Sequence, residues 1–261
     1  MSIALALSGG GVFGAAHVGP LEELDRIGLR PDFVVGTSAG AIVGLLYASG
    51  GVDAVNRFLD RLADMFSSPA ALLLNTPPKI FTYVQQTLSE LVGPEPPRTP
   101  FYSVATNLRT GRPEAFHGSD SVVGVMASAA FPGVFPVQAI GGERYVDGGL
   151  TACLPAGIAW KLAATTVIGS SVYYLPDISP STAGRASVVW VAQRSLDILQ
   201  AELAREQAAL CTFCFHPPDL TGYRWYDLRD IREIREAGRL HARCLVSSLT
   251  ASLDRQANHI P

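Results

Sequence analysis

The sequence predicts an α/β protein in which glycine-rich turns join buried strands to helices. Two such units lie near its start, where apolar runs at 2–7 and 33–35 each lead through glycines into a helix-like run. Short apolar runs that end at glycine are typical of buried strands. A length of 261 residues suits one α/β domain with a large core. The apolar content of 48% is ordinary for a globular chain with a buried parallel sheet.

The first unit joins the strand at 2–7 to a helix predicted at 15–27 through the cluster Gly-Gly-Gly-Val-Phe-Gly at 9–14. Backbone N–H groups of such a turn can point at a nearby anion. If the first two strands lie parallel and adjacent, the turns after them face one cavity. One turn would then supply a nucleophile, and the cluster at 9–14 would supply donors for an oxyanion.

The second unit contains the most informative motif, Gly-Thr-Ser-Ala-Gly at 36–40, between the strand at 33–35 and a helix predicted at 41–48. In a G-x-S-x-G turn between strand and helix, the serine hydroxyl is exposed, and the flanking glycines avoid Cβ clashes. The N–H of Ala39 is a further candidate oxyanion donor. The motif therefore predicts Ser38 as a nucleophile, while a small-residue turn without chemistry would give the same letters.

The cluster at 9–14 also fits the dinucleotide-binding pattern G-x-G-x-x-G. That interpretation expects an acidic residue about 20 positions on, at the end of the second strand. Gly36, Thr37 and Ser38 occupy that end, and Asp32 lies before the strand. The sequence therefore favours an acyl hydrolase over a nucleotide-binding protein.

The remaining elements follow from apolar periodicity and from proline and glycine boundaries. An apolar turn region at 70–74 is a candidate for core packing, for a lid or for a lipid-facing patch, and 176–184 is predicted to be a loop. Helices are predicted at 51–67, 79–92, 121–130, 155–164, 185–210 and 228–255, and strands at 101–106, 113–116, 143–146, 166–172 and 211–215.

A general base is needed, because a free serine is a weak nucleophile at neutral pH. The best candidate is Asp147, which follows the predicted strand at 143–146 and precedes Gly148 and Gly149. A plain Asp-Gly-Gly turn is the alternative. An aspartate of ordinary pKa, about 4, is a poor base, but burial among the apolar residues of 131–146 would raise the pKa.

Three motifs in this order, at 9–14, 36–40 and 147–149, resemble the signature of the patatin-like phospholipases. Two further stretches are similar to that family. One is Ala-Thr-Asn-Leu at 105–108, with Thr-Gly at 110–111, and the other is the segment 127–136. The resemblance covers roughly residues 3 to 170, and five ordered matches make it specific.

The resemblance implies a three-layer α/β/α sandwich around a mainly parallel sheet. It implies one domain over 1–261, with 185–261 as its helical C-terminal part. It also implies a catalytic dyad of Ser38 and Asp147 that needs no cofactor and no metal. The predicted oxyanion donors are the N–H groups of Gly9, Gly10, Gly11, Val12 and Ala39, with Gly36, Gly40, Gly148 and Gly149 as supporting glycines.

One departure from the family concerns its head-group chemistry. The family usually has Arg or Lys just before the last glycine of the first motif, and this chain has Phe13. A guanidinium there could serve a phosphate. Its replacement argues against a charged phosphate head group and leaves the ester chemistry unchanged, because the oxyanion donors are backbone groups.

A conventional triad would need a histidine. His216, His241 and His259 follow Asp147, so chain order alone permits the arrangement of α/β-hydrolases. The serine of that fold follows several strands, however, and Ser38 follows about two. We expect structural roles for these histidines. His17, close to the first glycine cluster, is the one whose role stays open.

The cysteines do not predict a metal site. Cys211 and Cys214 form a C-x-x-C pattern in a predicted strand. Residues i and i+3 of a strand point to opposite faces, so both thiols should not reach one ion.

Charge and hydropathy limit the partners. A net charge of −3 provides no basic surface for nucleic acid. There is no run of 18 apolar residues and no basic leader, so we expect neither a membrane span nor a signal peptide. We expect a cytoplasmic enzyme with peripheral contact at the inner membrane face.

The sequence thus predicts a serine hydrolase of carboxylic esters of lipids, of the lipase or phospholipase A type. Its expected partner is a lipid or acyl-ester substrate. Two alternatives stay open at this point. One is an acyltransferase that uses the same acyl-enzyme. The other is a non-catalytic lipid-binding or regulatory module on the same scaffold.

Overall fold

The computed structural model describes residues 2–66, 76–118, 121–175 and 187–257, and they form a mixed sheet of eight strands with helices on both faces. The strands are β1 (Ile3–Leu7), β2 (Phe33–Thr37), β3 (Phe101–Asn107), β4 (Pro113–Phe116), β5 (Gln138–Ile140), β6 (Glu143–Asp147), β7 (Thr166–Ser170) and β8 (Phe213–Phe215). The helices are α1 (Val18–Arg26), α2 (Ala39–Met65), α3 (Pro77–Val92), α4 (Ser121–Ser128), α5 (Gly149–Ala152), α6 (Ala156–Lys161), α7 (Val188–Ala208) and α8 (Ile231–Ala257), with 3-10 helices at Gly11–His17 and Leu228–Asp230.

The strand order is β5-β6-β3-β2-β1-β7-β8, and β4 also pairs with β3. Strands β3, β2, β1, β7 and β8 run parallel to one another, while β4, β5 and β6 pair antiparallel. Because β1 and β2 are adjacent and parallel, both glycine turns leave the same edge of the sheet. This is the arrangement that the two N-terminal motifs need in order to face one cavity.

Alternate residues of β1 divide the core into two layers. Leu5 and Leu7 pack with α1, α2, α3 and α8 on one face. Ala4 and Ala6 pack with residues of α5 and α6 on the other face, and α7 contacts α5. This is the period-2 alternation of a strand buried on both sides. The predicted fold, helices on both faces of a mainly parallel sheet, is confirmed.

The C-terminal part of the chain packs on the same sheet. Strand β8 pairs parallel with β7 at its edge, and α8 lies against α1 and the first 3-10 helix. Arg239 of α8 donates two hydrogen bonds of 2.8 and 3.0 Å to one carboxylate oxygen of Glu22 in α1. No helix in the described ranges is both long and apolar enough to cross a membrane.

Several element boundaries differ from the predictions. The helix predicted at 15–27 begins as a 3-10 helix at Gly11. The helices predicted at 41–48 and 51–67 form one element, α2, with a non-helical residue at Gly51. Strand β5 was not predicted. The segments predicted at 70–74 and 176–184 lie outside the described residues.

Candidate active site

Ser38 occupies a single-residue turn between β2 and α2. Its φ of 53° and ψ of −121° are close to those of the first central residue in a type II′ turn. A positive φ costs a residue with a Cβ about 1–3 kcal/mol. The turn is held because the Ser38 N–H donates to Ser128 Oγ at 2.8 Å and its carbonyl accepts from the N–H of Ala41 at 2.9 Å.

Gly36 and Gly40 are required because backbones meet closely beside this turn. A Cβ on Gly36 would lie 2.3 Å from the carbonyl oxygen of Gly40. A Cβ on Gly40 would lie 2.4 Å from the carbonyl oxygen of Leu7 in β1. Both distances are far below van der Waals contact, so the two glycines of the pentapeptide allow the serine turn to pack on the end of β1.

Ser38 and Asp147 meet directly. The Ser38 hydroxyl donates to Asp147 Oδ2 at 2.6 Å, and Asp147 Oδ1 accepts the N–H of Gly149 at 2.7 Å. Asp147 is the last residue of β6, which pairs with β3 beside β2. The sheet therefore brings together two residues that are far apart in the chain.

Burial tunes the carboxyl group of Asp147. The residue is only 1% exposed. Loss of solvent raises its pKa from 3.8 to about 6, against the opposing effect of the hydrogen bonds from Ser38 and Gly149. A carboxylate with a pKa near 6 is still ionised at neutral pH and is a stronger base than an ordinary aspartate.

The glycine cluster offers fewer free donors than predicted. Among the described residues, the N–H groups of Gly10, Gly11 and Ala39 have no acceptor. Gly9, by contrast, donates its N–H to the carbonyl of Cys153 at 2.9 Å, and Val12 donates to the carbonyl of Trp225 at 2.7 Å. Because an N–H points in one direction, Gly9 and Val12 do not serve the predicted oxyanion role in this conformation.

The segment 128–130 joins the two halves of the site and was given no role by the sequence analysis. The hydroxyl of Ser128 accepts the Ser38 N–H and donates to the carbonyl of Val104. The N–H groups of Asp147 and Gly148 donate to the carbonyls of Ala130 and Ser128, at 3.0 and 3.2 Å. These residues fasten the serine turn to the aspartate turn. The sequence feature that could have indicated this role is their place in the segment 127–136, which is similar to the patatin-like family.

Ser38 and Asp147 line a cavity of about 290 Å³ whose lining is mostly apolar. Within the described residues the lining contains no lysine, arginine or histidine. Phe13 is buried in the core, edge-on to Tyr174. The apolar wall includes Ile42, Phe58, Leu59, Leu62, Ile80, Phe81, Val84, Met126 and Phe135, and the polar side chains are Ser38, Asp147, Tyr173, Asp197, Gln200, Trp225 and Tyr226.

His17 has a structural environment. Its Nε2 lies 3.0 Å from the carbonyl oxygen of Ser8, and its Nδ1 lies 2.8 Å from the hydroxyl of Ser170. A carbonyl only accepts, so Nε2 carries the proton and Nδ1 accepts from Ser170. Burial lowers the His17 pKa to about 4. The neutral ring thus ties the ends of β1 and β7 together below the glycine cluster.

The other histidines do not complete a triad in the described part of the chain. Neither His216 nor His241 lines the cavity, and His259 lies outside the described residues.

The expected geometry of the cysteine pair is wrong. A Cβ on Gly169 would lie 2.5 Å from Cys211 Sγ and 3.1 Å from Cys214 Sγ, so both sulfurs lie on one side of β7. The reason is that β8 begins only at Phe213, and Cys211 belongs to the preceding turn. No group of three or more His, Cys, Asp or Glu among the described residues could hold a metal ion.

Comparison with known proteins shows which family the chain belongs to. The family model for patatin-like phospholipases matches residues 5–160. The chain therefore belongs to the patatin-like phospholipase family.

Individual relatives have modest similarity. The chain is 28% identical over 204 residues to lysophospholipase NTE1 of Mycosarcoma maydis, a match that covers 73% of this chain and 11% of that protein. It is 32% identical over 195 residues to an uncharacterized NTE family protein of Mycobacterium tuberculosis, a match that covers 69% of this chain and 52% of that protein. The chain spans about half or less of these relatives. Among solved structures, VipD from Legionella pneumophila aligns with a TM-score of 0.49 and 13% identity, over 95% of this chain and 67% of that chain.

Proposed function

We propose that the protein hydrolyses carboxylic esters of lipids through an acyl-enzyme on Ser38. The observation that carries this proposal is the 2.6 Å hydrogen bond from the Ser38 hydroxyl to the buried carboxylate of Asp147. It lies in the wall of a mostly apolar cavity suited to an acyl chain. Membership of the patatin-like phospholipase family supports the same class of reaction.

In the acylation step, Asp147 takes the proton of the Ser38 hydroxyl as Oγ attacks the ester carbonyl carbon. A bond forms between Oγ and the carbonyl carbon, and the carbonyl oxygen becomes an oxyanion. When the tetrahedral intermediate collapses, the bond between carbon and the alcohol oxygen breaks. The proton on Asp147 then passes to the departing alcohol, which leaves the acyl group on Ser38.

In the deacylation step, a water molecule replaces the alcohol. Asp147 accepts one of its protons as the water oxygen attacks the acyl carbon. Collapse of the second intermediate breaks the bond to Ser38 Oγ. The proton returns from Asp147 to Oγ, the fatty acid leaves, and the starting state of the dyad is restored.

The free N–H groups of Gly10, Gly11 and Ala39 form the proposed oxyanion hole. Ala39 is the first residue of α2, where the positive end of the helix dipole adds to the field. Gly10 and Gly11 reach the site through positive φ angles of 154° and 59°, which glycine adopts without strain. Backbone donors fixed before the reaction stabilise the developing charge without reorganisation.

Labelling with a fluorophosphonate probe tests the nucleophile. We expect one phosphonyl adduct per chain, located on Ser38 by peptide mass mapping. It should be absent from Ser38→Ala and at least about 100-fold slower in Asp147→Asn, because the base is lost. Ser195→Ala is the control, since this exposed serine hydrogen-bonds within α7 and does not line the cavity. An adduct on another residue, or none on folded wild-type protein, would overturn the proposal.

Substitution of Gly11 tests the oxyanion hole. A Cβ at Gly11 would lie 2.4 Å from the carbonyl oxygen of Trp225, so Gly11→Ala must shift the loop. We expect kcat to fall about 10²- to 10³-fold, the usual effect of removing one oxyanion donor. Gly28→Ala is the matched control. Gly28 also has a positive φ, of 72°, but a Cβ there meets nothing within 4 Å, so its kcat should stay unchanged.

A further inference from the structure

The side-chain amide nitrogen of Gln200, Nε2, has no hydrogen-bond partner among the described residues, although the residue is buried. It lies on α7, is 3% exposed and lines the cavity. A buried donor without a partner destabilises the fold, and such groups are rare in folded proteins. A side chain kept in this state beside an active site indicates a donor reserved for a ligand.

Gln200 lies beside the dyad carboxylate. The point that a Cβ on Gly149 would occupy is 2.9 Å from Gln200 Nε2 and 2.9 Å from Asp147 Oδ1. The two groups are not bonded to each other. In the proposed mechanism the alcohol oxygen takes its proton from Asp147, so the leaving alcohol must lie next to Asp147. The amide of Gln200 is therefore within reach of the other groups of that alcohol.

A second polar group lies one turn away on the same helix. Asp197 is 9% exposed and lines the same cavity, and residues i and i+3 of a helix share a face. Its Oδ1 accepts a hydrogen bond of 3.4 Å from Gln193 Nε2. Asp197 can accept a hydrogen bond from a ligand in the cavity, and Gln200 can donate one. This is the pair of functions that a hydroxyl group needs, because a hydroxyl both donates and accepts.

A phosphate would be poorly placed at this end of the cavity. No basic side chain among the described residues lines it. Burial raises the pKa of Asp197, against the smaller effects of the hydrogen bond from Gln193 and of the charge of Arg194. Arg194 is not part of the lining. An anion there would be desolvated without a cationic partner from the described lining, which is unfavourable. It would also lie near the carboxylates of Asp147 and Asp197, and like charges repel.

We propose that Asp197 and Gln200 bind a hydroxyl group of the leaving alcohol and that the enzyme prefers esters of uncharged polyols, such as glycerol, to esters of phosphate-bearing alcohols. This inference rests on the proposed esterase function and adds its substrate class. The residues come from α7, outside the range 5–160 that matches the family model.

The experiment compares three esters of one fatty acid in micelles of a neutral detergent: the 1-monoacylglycerol, lysophosphatidic acid and the methyl ester. All three give the same acyl-enzyme, so differences in kcat/KM report on the leaving group. For the wild type we expect the monoacylglycerol to be at least about tenfold better than the methyl ester, which has no hydroxyl for Asp197 and Gln200 to bind. We expect a similar advantage over lysophosphatidic acid, whose phosphate would lie near the carboxylates of Asp147 and Asp197. A preference for lysophosphatidic acid over the monoacylglycerol would overturn the inference.

Variants separate binding from folding. Gln200→Leu should reduce the monoacylglycerol preference over the methyl ester about tenfold while kcat/KM for the methyl ester stays within a few-fold of wild type. Asp197→Asn should raise the ratio of lysophosphatidic acid to monoacylglycerol, because a like charge is removed. Gln207→Leu, on the same helix but bonded to the N–H of Gly157 and outside the cavity lining, should change neither ratio.

The outcomes are distinguishable. Equal losses with the methyl ester and the monoacylglycerol in Gln200→Leu would mean a structural role and would overturn the subsite. If folded wild-type protein hydrolyses none of the three esters, the proposed function itself fails, and the subsite with it.

Discussion

Replacement of Asp147 by asparagine should lower kcat/KM on the order of 10⁴-fold or more and at the same time stabilise the fold at neutral pH. Loss of activity is expected because asparagine cannot take the proton of Ser38, and loss of one member of a serine hydrolase triad costs about this much. Stabilisation is expected because the carboxylate is charged, 1% exposed and without a cationic partner among the described residues in the cavity lining.

The sign of the pH dependence follows from the raised pKa. Asp147 titrates at about 6 in the folded protein and near 3.8 in the unfolded chain. The folded state therefore binds this proton more tightly, and ionisation destabilises the fold. The penalty is absent below about pH 4, grows between pH 4 and 6, and is complete above pH 6. A shift of this size corresponds to about 3 kcal/mol.

Asparagine can keep the hydrogen bonds of the aspartate. Its Oδ1 can accept the N–H of Gly149, and its amide can donate to Ser38 Oγ. Urea unfolding should therefore show Asp147→Asn to be more stable than wild type by up to about 3 kcal/mol at pH 8 and about equal to it at pH 4. Asp53→Asn, on the exposed surface of α2, removes the same charge and should show no such gain.

A variant that is less stable than wild type at pH 8 would contradict the burial argument. The activity of the wild type gives a second check. Below pH 6, kcat/KM should fall about tenfold per pH unit as Asp147 becomes protonated. Burial lowers the pKa of His17 to about 4. As the pH falls from 6.5 towards 4, the unfolded chain binds a proton at this residue and the folded protein does not, so the fold is destabilised. Circular dichroism must therefore confirm that the protein is folded at each pH.

The sequence was most informative where a motif is local. A serine between two glycines after an apolar run, and an aspartate before two glycines, each specify a strand end and a turn. The distance between Ser38 and Asp147 could not be calculated from them, because β6 pairs antiparallel with β3 and no local pattern predicts that pairing. The dyad was expected from the resemblance to the patatin-like family. The structure places the two side chains in a 2.6 Å hydrogen bond.

Features that depend on distant partners were missed. Gly9 and Val12 have the same local pattern as Gly10 and Gly11, but their N–H groups are taken by the carbonyls of Cys153 and Trp225. No feature of the sequence near residues 9–14 predicts those acceptors. Asp197 and Gln200 are ordinary polar residues of a long helix, and only the packing of α7 against α5 brings them to the cavity.

The same limit explains the boundary errors. Strand β5 is three residues long and exists because it pairs with β6, so no periodicity marks it. The C-x-x-C pair was assigned to a strand that in fact starts two residues later. Pairing and turn geometry, rather than local propensity, decide such short elements.

Replacement of Ser38 by glycine or by alanine should abolish turnover in either case, on the order of 10⁶-fold, and yet the two variants should differ in stability. Both lose the hydroxyl and its hydrogen bond to Asp147, so that loss cancels in the comparison. The remaining difference is the backbone, because alanine keeps a Cβ at a φ of 53°. Glycine adopts such angles freely, whereas the strain for other residues is about 1–3 kcal/mol.

We expect Ser38→Gly to be about 1 kcal/mol more stable than Ser38→Ala in urea unfolding, after allowance for the greater freedom of glycine in the unfolded chain. Ala163→Gly is the matched control, since Ala163 is exposed and has a φ of 65°. Ala163→Gly should be more stable than wild type by a similar free energy of unfolding and should keep full activity. A glycine variant less stable than the alanine variant, alongside a stabilised Ala163→Gly, would show that the serine turn is not strained. If the gain is observed at both positions, the serine turn carries backbone strain of the same size as an exposed residue with a positive φ, and the fold bears that cost at Ser38.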